Sequence, residues 1–359
     1  MVGILLDSKY SKSIWCKCLY NSLIEQLRHK RIPFCEVFDK VDKELDAIFI
    51  IASDREWTTS VISQLNQNGI QPILICNQSE ELPGCIYNCV CSDINASMKN
   101  LLDNLKTKDK NRIALYGINT ESISDISRVD SLFNWRSQYF EKMHVFSNNG
   151  SLQNCFDDFY KRNDEFDAVI CANDFTAVSL VRNLKEKAPE KLNNFYIISC
   201  AKTQISNYYR EHILSLNMNF DQYGKAAVYV YSALKKHSYL SGMTARILWS
   251  LQSNNTQSDS FDIRLELKSS DDSFYKDKEL AEMLIVDKIL KSTDNVEKKI
   301  INCLLNNKTI EKIADECFLT VSGVKYRISK IISDSGAENK EEIVTLLNKY
   351  IFKEEKSND

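Results

Sequence analysis

Between residues 1 and 252 the chain returns repeatedly to short, almost wholly apolar runs, each followed by a stretch of helical period. Asp46-Ala-Ile-Phe-Ile-Ile-Ala52 is the plainest of them. Such a run has no polar face, which is how a strand covered by helices on both sides must read. Strands are predicted over 2–6, 33–38, 46–52, 72–76 and 86–91, with helices over 15–28, 58–66 and 95–105. The rhythm then restarts, with strands over 112–117, 144–146, 167–172, 195–199 and 213–217, helices over 128–140, 152–162, 175–187 and 221–236, and a late strand over 245–249. Alternation of this kind builds parallel, doubly wound sheets. Two rounds of it predict an α/β fold of two lobes with a cleft between them.

Boundaries follow from composition. The first lobe is expected over about 1–106 plus a late strand at 244–252, and the second over about 111–240, with crossings near 106–111, 217 and 241–243. A polar linker occupies 253–275, interrupted by the alternating run Phe261 to Leu267. A connecting helix follows over 276–293, and a small all-α domain over 294–355. The 359 residues are 43% hydrophobic, enough for a sizeable core, yet no apolar run is long enough to cross a membrane. The opening residues carry no secretory leader, so a cytoplasmic protein is expected. Twelve cysteines and four histidines lack the spacing of a metal site, and Val169-Ile-Cys-Ala172 places Cys where a small hydrophobe belongs. Neither metal nor cofactor is expected. There is no Gly-rich phosphate loop, no Gly-x-Ser-x-Gly elbow and no His-Glu-x-x-His, so an enzyme is not expected. After Leu6 the single Asp7 cannot form the acidic pocket of a phospho-receiver.

The all-α domain has its own signal. Ile310, Ile313, Ala314 and Cys317 form one apolar face, Phe318 and Leu319 make a corner, and Thr320 is a good N-cap. Val321, Val324, Ile328 and Ile331 then form the stripe of a second helix. Its remaining faces carry Ser322, Gly323, Lys325, Tyr326, Arg327, Ser329 and Lys330, without an acidic residue. With Thr320 these are the candidates for DNA contact, because cations meet phosphates and short polar side chains let the backbone near base edges. The stretch resembles the helix-turn-helix of the LuxR/GerE family. Val296, Ile300, Ile301, Leu304 and Leu305 match its first helix, and Asn339 with Glu342 forms a capping box for its last. Gly323 and the Asn306-Asn307-Lys308 turn depart from the family pattern. A net charge of −3 means that any DNA affinity must come from local clustering on this helix.

A second resemblance covers about 1–252. Val169 through Leu184, with Asn173-Asp174 at its centre, is similar to the strand–Asn-Asp–helix signature of LacI/GalR regulators, whose sensors have the type-1 periplasmic-binding-protein fold. The resemblance implies a ligand held by Tyr10, Trp15, Asp54, Trp57 and Asp93 from the first lobe and Arg128, Asn173, Lys202 and Asn217 from the second. Ala201-Lys202 stands where the sugar binders of that family carry an acid, which admits an anionic metabolite beside a sugar-like effector. Plainer roles fit several of these residues: Trp15 as core, Arg128 as an ion-pair residue, Asp174 as the N-cap of a helix from Phe175, and Asp54 and Asp93 in turns. Together the two resemblances imply a homodimeric transcriptional regulator, binding operator DNA and a small molecule and paired through the lobes and the last helix. The competing class is an interaction protein whose lobes dock a partner instead of a ligand.

Overall fold

The computed structural model describes residues 1–8, 14–37, 45–52, 54–76, 82–120, 122–200, 203–237, 239–251 and 277–352. The expected linker 253–275, with its alternating run, lies outside them. The chain opens with β1 (Val2–Leu6), α1 (Ile14–His29), β2 (Phe34–Val37), β3 (Ala47–Ile51), α2 (Arg55–Gln67), β4 (Gln71–Ile75), β5 (Asn88–Ser92) and α3 (Ile94–Thr107). A second round follows: β6 (Arg112–Ile118), α4 (Ile123–Asn134), the short α5 (Arg136–Tyr139), β7 (Lys142–Ser147), α6 (Leu152–Tyr160), β8 (Ala168–Cys171), α7 (Asp174–Lys187), α8 (Pro189–Leu192), β9 (Tyr196–Cys200) and β10 (Ile213–Asn217). Next come α9 (Phe220–Lys236), β11 (Thr244–Ile247) and β12 (Ser250–Leu251), and then five helices: α10 (Lys278–Ser292), α11 (Asn295–Leu305), α12 (Ile310–Cys317), α13 (Val321–Ser335) and α14 (Lys340–Leu347).

The strands form two six-stranded sheets, ordered β11-β5-β4-β3-β1-β2 and β12-β10-β9-β8-β6-β7. Among the described residues only the β10–β12 pair is antiparallel. The all-apolar β3 is buried from end to end, as a strand covered on both faces must be.

Two helices sit across the lobe boundary that the sequence suggests. The stripe Ile94, Met98, Leu101, Leu102 and Leu105 of α3 lies in the core of the second sheet, beside Ile113, Leu115 and Ile170. Conversely, Tyr223, Ala227, Val230 and Leu234 of α9 lie in the core of the first sheet, beside Leu19, Leu23 and Phe49. The chain therefore crosses between β5 and α3, between β10 and α9, and between β11 and β12. The expected crossing at 241–243 is instead the lead into β11: Met243 N donates to Asn88 Oδ1 at 3.0 Å, and Cys89 N donates to the Met243 carbonyl at 2.8 Å. Helices α1 and α9 touch backbone to backbone at Gly224, where a Cβ would stand 2.1 Å from the Ser22 carbonyl oxygen.

The C-terminal helices are not a detached unit. Leu280, Met283, Leu284, Val286 and Ile289 of α10 share one core with Phe156, Val178, Val181, Ile205 and Tyr209 of the second lobe and with Ile331 of α13. Ile343, Leu346, Leu347 and Tyr350 are buried in that same core. The last helix therefore has no apolar surplus for pairing subunits, contrary to expectation.

Candidate functional site

Parallel sheets bind ligands beyond the carboxyl ends of their strands. In the first lobe those ends are Leu6, Val37, Ile51, Ile75, Ser92 and Ile247; in the second they are Ile118, Ser147, Cys171, Cys200 and Asn217. A buried knot ties the crossings between them. Ser92 Oγ lies 2.5 Å from Tyr223 Oη and accepts from Trp249 Nε1 at 3.1 Å. Trp249 N donates to Ser97 Oγ at 3.0 Å; beside the knot, at the surface, Asn219 Nδ2 donates to the Leu248 carbonyl at 2.6 Å. All three crossings thus contribute to one hydrogen-bonded cluster.

Around this edge the anticipated ligand residues hold structural positions. Asp54 caps α2 by accepting from Trp57 N at 3.0 Å, and Asp93 caps α3 by accepting from Ala96 N at 3.0 Å. Asn173 caps α7, accepting from Thr176 N at 3.1 Å, while Thr176 Oγ1 receives Asn173 N at 3.2 Å. The cap is therefore Asn173, not Asp174. Asp174 turns into the protein, fully buried, and accepts from Ser199 Oγ at 2.5 Å, Thr203 N at 2.6 Å and Thr203 Oγ1 at 2.9 Å. Burial pushes its carboxyl pKa up, against the opposing pull of those donors.

Arg128 is buried and paired with Asp125, whose other oxygen accepts from Asn119 N at 2.9 Å. It lines a small void of about 10 Å³ with Met98, Leu115, Leu132, Ile170 and Cys200, inside the lobe. Trp15 and Trp57 are half-buried against the two faces of the first sheet. Asn217 closes β10 and accepts from Asn219 N at 3.1 Å. Tyr10 and Lys202 lie outside the described residues. The strand ends collect the rest at the sheet edges, but their side chains mostly bind their own chain. Among the described residues no cluster of His, Cys, Asp and Glu is arranged to hold a metal. Burial pushes the thiols of Cys16 and Cys18 up to about 12 and about 11, so both are protonated, inert core groups.

The C-terminal corner is a tight one. Phe318 ends α12 at φ +56°, and Leu319 N returns to the Ala314 carbonyl at 2.9 Å. Thr320 caps α13, accepting from Gly323 N at 3.0 Å and lying 3.0 Å from Ser322 Oγ. Ile300, Cys303, Leu304, Ile313, Ala314, Val324 and Ile328 pack beneath. Ser322, Lys325, Tyr326 and Ser329 face solvent. Arg327 and Lys330 do not stand free. Arg327 pairs with Asp294 at 2.8 Å and Glu297 at 3.4 Å, and Lys330 pairs with Glu297 at 2.8 Å. Glu297 is buried as the third residue of the α11 capping box, so these two cations neutralise the start of α11. Lys325 alone of the three has no ion pair among the described residues.

Sequence reasoning missed the groups that join the two parts. Asp287 of α10, 1% exposed, accepts from Gln204 N at 2.6 Å and Ile205 N at 3.0 Å and pairs with Lys291 at 2.6 Å. Glu279 accepts from Ser179 Oγ at 2.8 Å and Arg182 Nη1 at 3.0 Å. Arg182 stacks 4.2 Å from the Tyr350 ring centre. The one signal available for Asp287 was an acid set among apolar residues of a helix.

Two lobes of mainly parallel sheet joined by three crossings define a two-lobed α/β fold of the periplasmic-binding-protein-like kind. No protein-family model and no curated protein matches the chain. Solved structures do match. The Lac repressor bound to ONPG in its repressed state aligns with a TM-score of 0.56 and 12% identity, over 71% of this chain and 81% of that one. The LacI family transcriptional regulator CCPA from Weissella paramesenteroides, with bound glucose, gives 0.52 and 16%, over 70% and 96%. GanP, a glucose-galactose binding protein from Geobacillus stearothermophilus, gives 0.54 and 11%, over 70% and 97%. At these identities the likeness is one of fold, and it is to regulators and a sugar-binding protein rather than to enzymes. Among the described residues no helix is long and apolar enough to cross a membrane.

Proposed function

We propose that the chain is a cytoplasmic, ligand-responsive transcriptional regulator. A small molecule, sugar-like or anionic, enters the interlobe cleft, and a LuxR-type helix-turn-helix over 294–355 binds operator DNA as half of a homodimer. One observation carries this reading. The segment after β9 is held from both sides: Asp174 of the second lobe takes Thr203, and Asp287 of α10 takes the next two amides. Because α10 shares its core with Ile331 of α13, a ligand that draws on the strand-end loop also acts on the DNA-binding helices. A ligand shifts such an equilibrium by its differential affinity for the two arrangements.

The test uses the full chain. Selection from a random-sequence duplex pool is expected to enrich a binding site. In a thermal-shift screen of sugars and anionic metabolites, at least one is expected to raise the melting temperature by mass action and to change retention of that duplex. A chain that enriches no duplex overturns the proposal. A second reading, an interaction protein with a degenerate sensor, is favoured by the commitment of Arg128 and Asn173 to bonds within the chain. It predicts that no small molecule shifts the melting temperature while a partner protein does.

A further inference from the structure

Phe318 is anomalous twice. Its φ of +56° lies in the left-handed region, where a bulky L-residue is a genuine outlier, and its side chain is 95% exposed. The backbone conformation is that of a helix C-cap, held by Phe318 N on the Asp315 carbonyl at 3.3 Å and Leu319 N on the Ala314 carbonyl at 2.9 Å, but glycine or asparagine is the usual residue there, and the exposed ring takes no part in the cap. It does not stand alone. Val321 is 38% exposed and Tyr326 71% exposed. Val321 with Lys325, and Ser322 with Tyr326 and Ser329, are neighbours at helical spacing on the open face of α13. The same face carries the hydroxyl of Thr320, the amino end of the helix and Lys325, which forms no salt bridge among the described residues though it lies near enough to Glu311 to help lower that carboxyl's pKa, while Arg327 and Lys330 are turned onto Asp294 and Glu297.

Two rings and one valine make a small apolar patch set among hydroxyls and a lysine, without the continuous apolar centre of a protein interface. Hydroxyls, a helix amino end and a lysine are groups that meet phosphate. The apolar groups among them suit the one apolar feature of the major groove, the C5 methyl of thymine. We propose that Phe318, assisted by Val321 and Tyr326, reads thymine methyl groups in the major groove, so that the preferred duplex is defined by thymines rather than by arginine–guanine pairs. This rests on the regulator reading and names the sequence class that the regulator selects.

The experiment takes the full-length chain and the duplex it enriches from the random pool, then replaces single thymines by uracil, which pairs alike but lacks the methyl. Wild type is expected to lose about threefold to tenfold in affinity at one or more positions. Phe318→Gly suits the left-handed backbone, so it folds. It is expected to lose a similar factor on the thymine duplex and to become indifferent to the replacement. Phe318→Leu, which keeps an apolar side chain, is expected to retain part of the methyl sensitivity. If Phe318→Gly binds like wild type and remains sensitive to uracil, the inference is overturned while the regulator reading stands. The inference is equally overturned if Phe318 matters only for retention of a protein. A wild-type chain that enriches no duplex overturns both.

Discussion

His144 accepts a hydrogen bond from Arg162 Nη1 at 2.9 Å, so its ring sits in the neutral form. Burial lowers its pKa from 6.5, Arg162 and Lys142 lower it further, and Glu165 opposes them. His212 is likewise lowered, by burial first and then by Lys185, against Glu211. Both groups titrate lower in the folded chain than in the unfolded one, so the unfolded chain takes up protons first as pH falls. The stability they contribute is present above the unfolded value of 6.5 and lost as pH falls through the folded values. The melting temperature of the full chain is expected to drop between about pH 7.5 and about pH 5.5, and to drop less in the His144→Gln, His212→Gln double variant. An equal drop in both proteins would show that the imidazoles are not responsible. At this scale the sequence identified residue types better than directions. Arg128 and Asp174 stand at the expected edge of the second sheet, yet both point inward, because Asp125 in one case and Thr203 in the other draw them there. No one-dimensional pattern reports which way a charged side chain turns.

Among the elements, α10 does most to bind the two parts of the chain together. Its apolar residues Leu280, Met283, Leu284, Val286 and Ile289 are spread around the helix, and such a helix must be covered on several sides. The lobe covers one side and α13 with the last helix cover another. Asp287 fixes the orientation. Replacing it by Ala leaves Lys291, 10% exposed, without its counter-charge and opens the Gln204 and Ile205 amides. Breaking a buried pair on one side costs about 3–5 kcal/mol. Asp287→Ala is therefore expected to lower the urea midpoint of the full chain and to speed amide exchange at 204 and 205, while β6 and β8 remain protected. Unchanged exchange at those two amides would show that the contact is not a tether. The strands themselves were legible, because an all-apolar run such as β3 announces a doubly covered strand without reference to distant partners. The exchange of α3 and α9 between lobes was not. An apolar stripe such as Met98, Leu101 and Leu105 states that a helix lies on a sheet, and two similar sheets answer that description equally well.

The whole molecule sets the terms for pairing. On the proposed regulator reading, operator recognition takes two helix-turn-helix units on half-sites about one turn of DNA apart, and a single unit with Lys325 as the one cation of its open face outside a salt bridge, among the described residues, falls short of that. The last helix cannot join two copies, since Ile343, Leu347 and Tyr350 are buried within the chain and Tyr350 Oη donates to Glu282 at 2.7 Å. Because α10 anchors the C-terminal helices to the second lobe, the spacing of two units follows from how the lobes pair. On the second lobe Ile126 and Phe133 of α4, 41% and 39% exposed, stand seven residues apart on one face of the helix. We expect the full chain, 41.4 kDa, to sediment at micromolar concentration as a dimer held through this face. Phe133→Glu should shift it toward monomer and abolish cooperative binding to a two-half-site duplex, without lowering the melting temperature of the monomer. A wild-type chain that stays monomeric both free and on DNA would rule out half-site pairing as the means of recognition. It would leave a single helix-turn-helix to act with whatever the lobes bring to it.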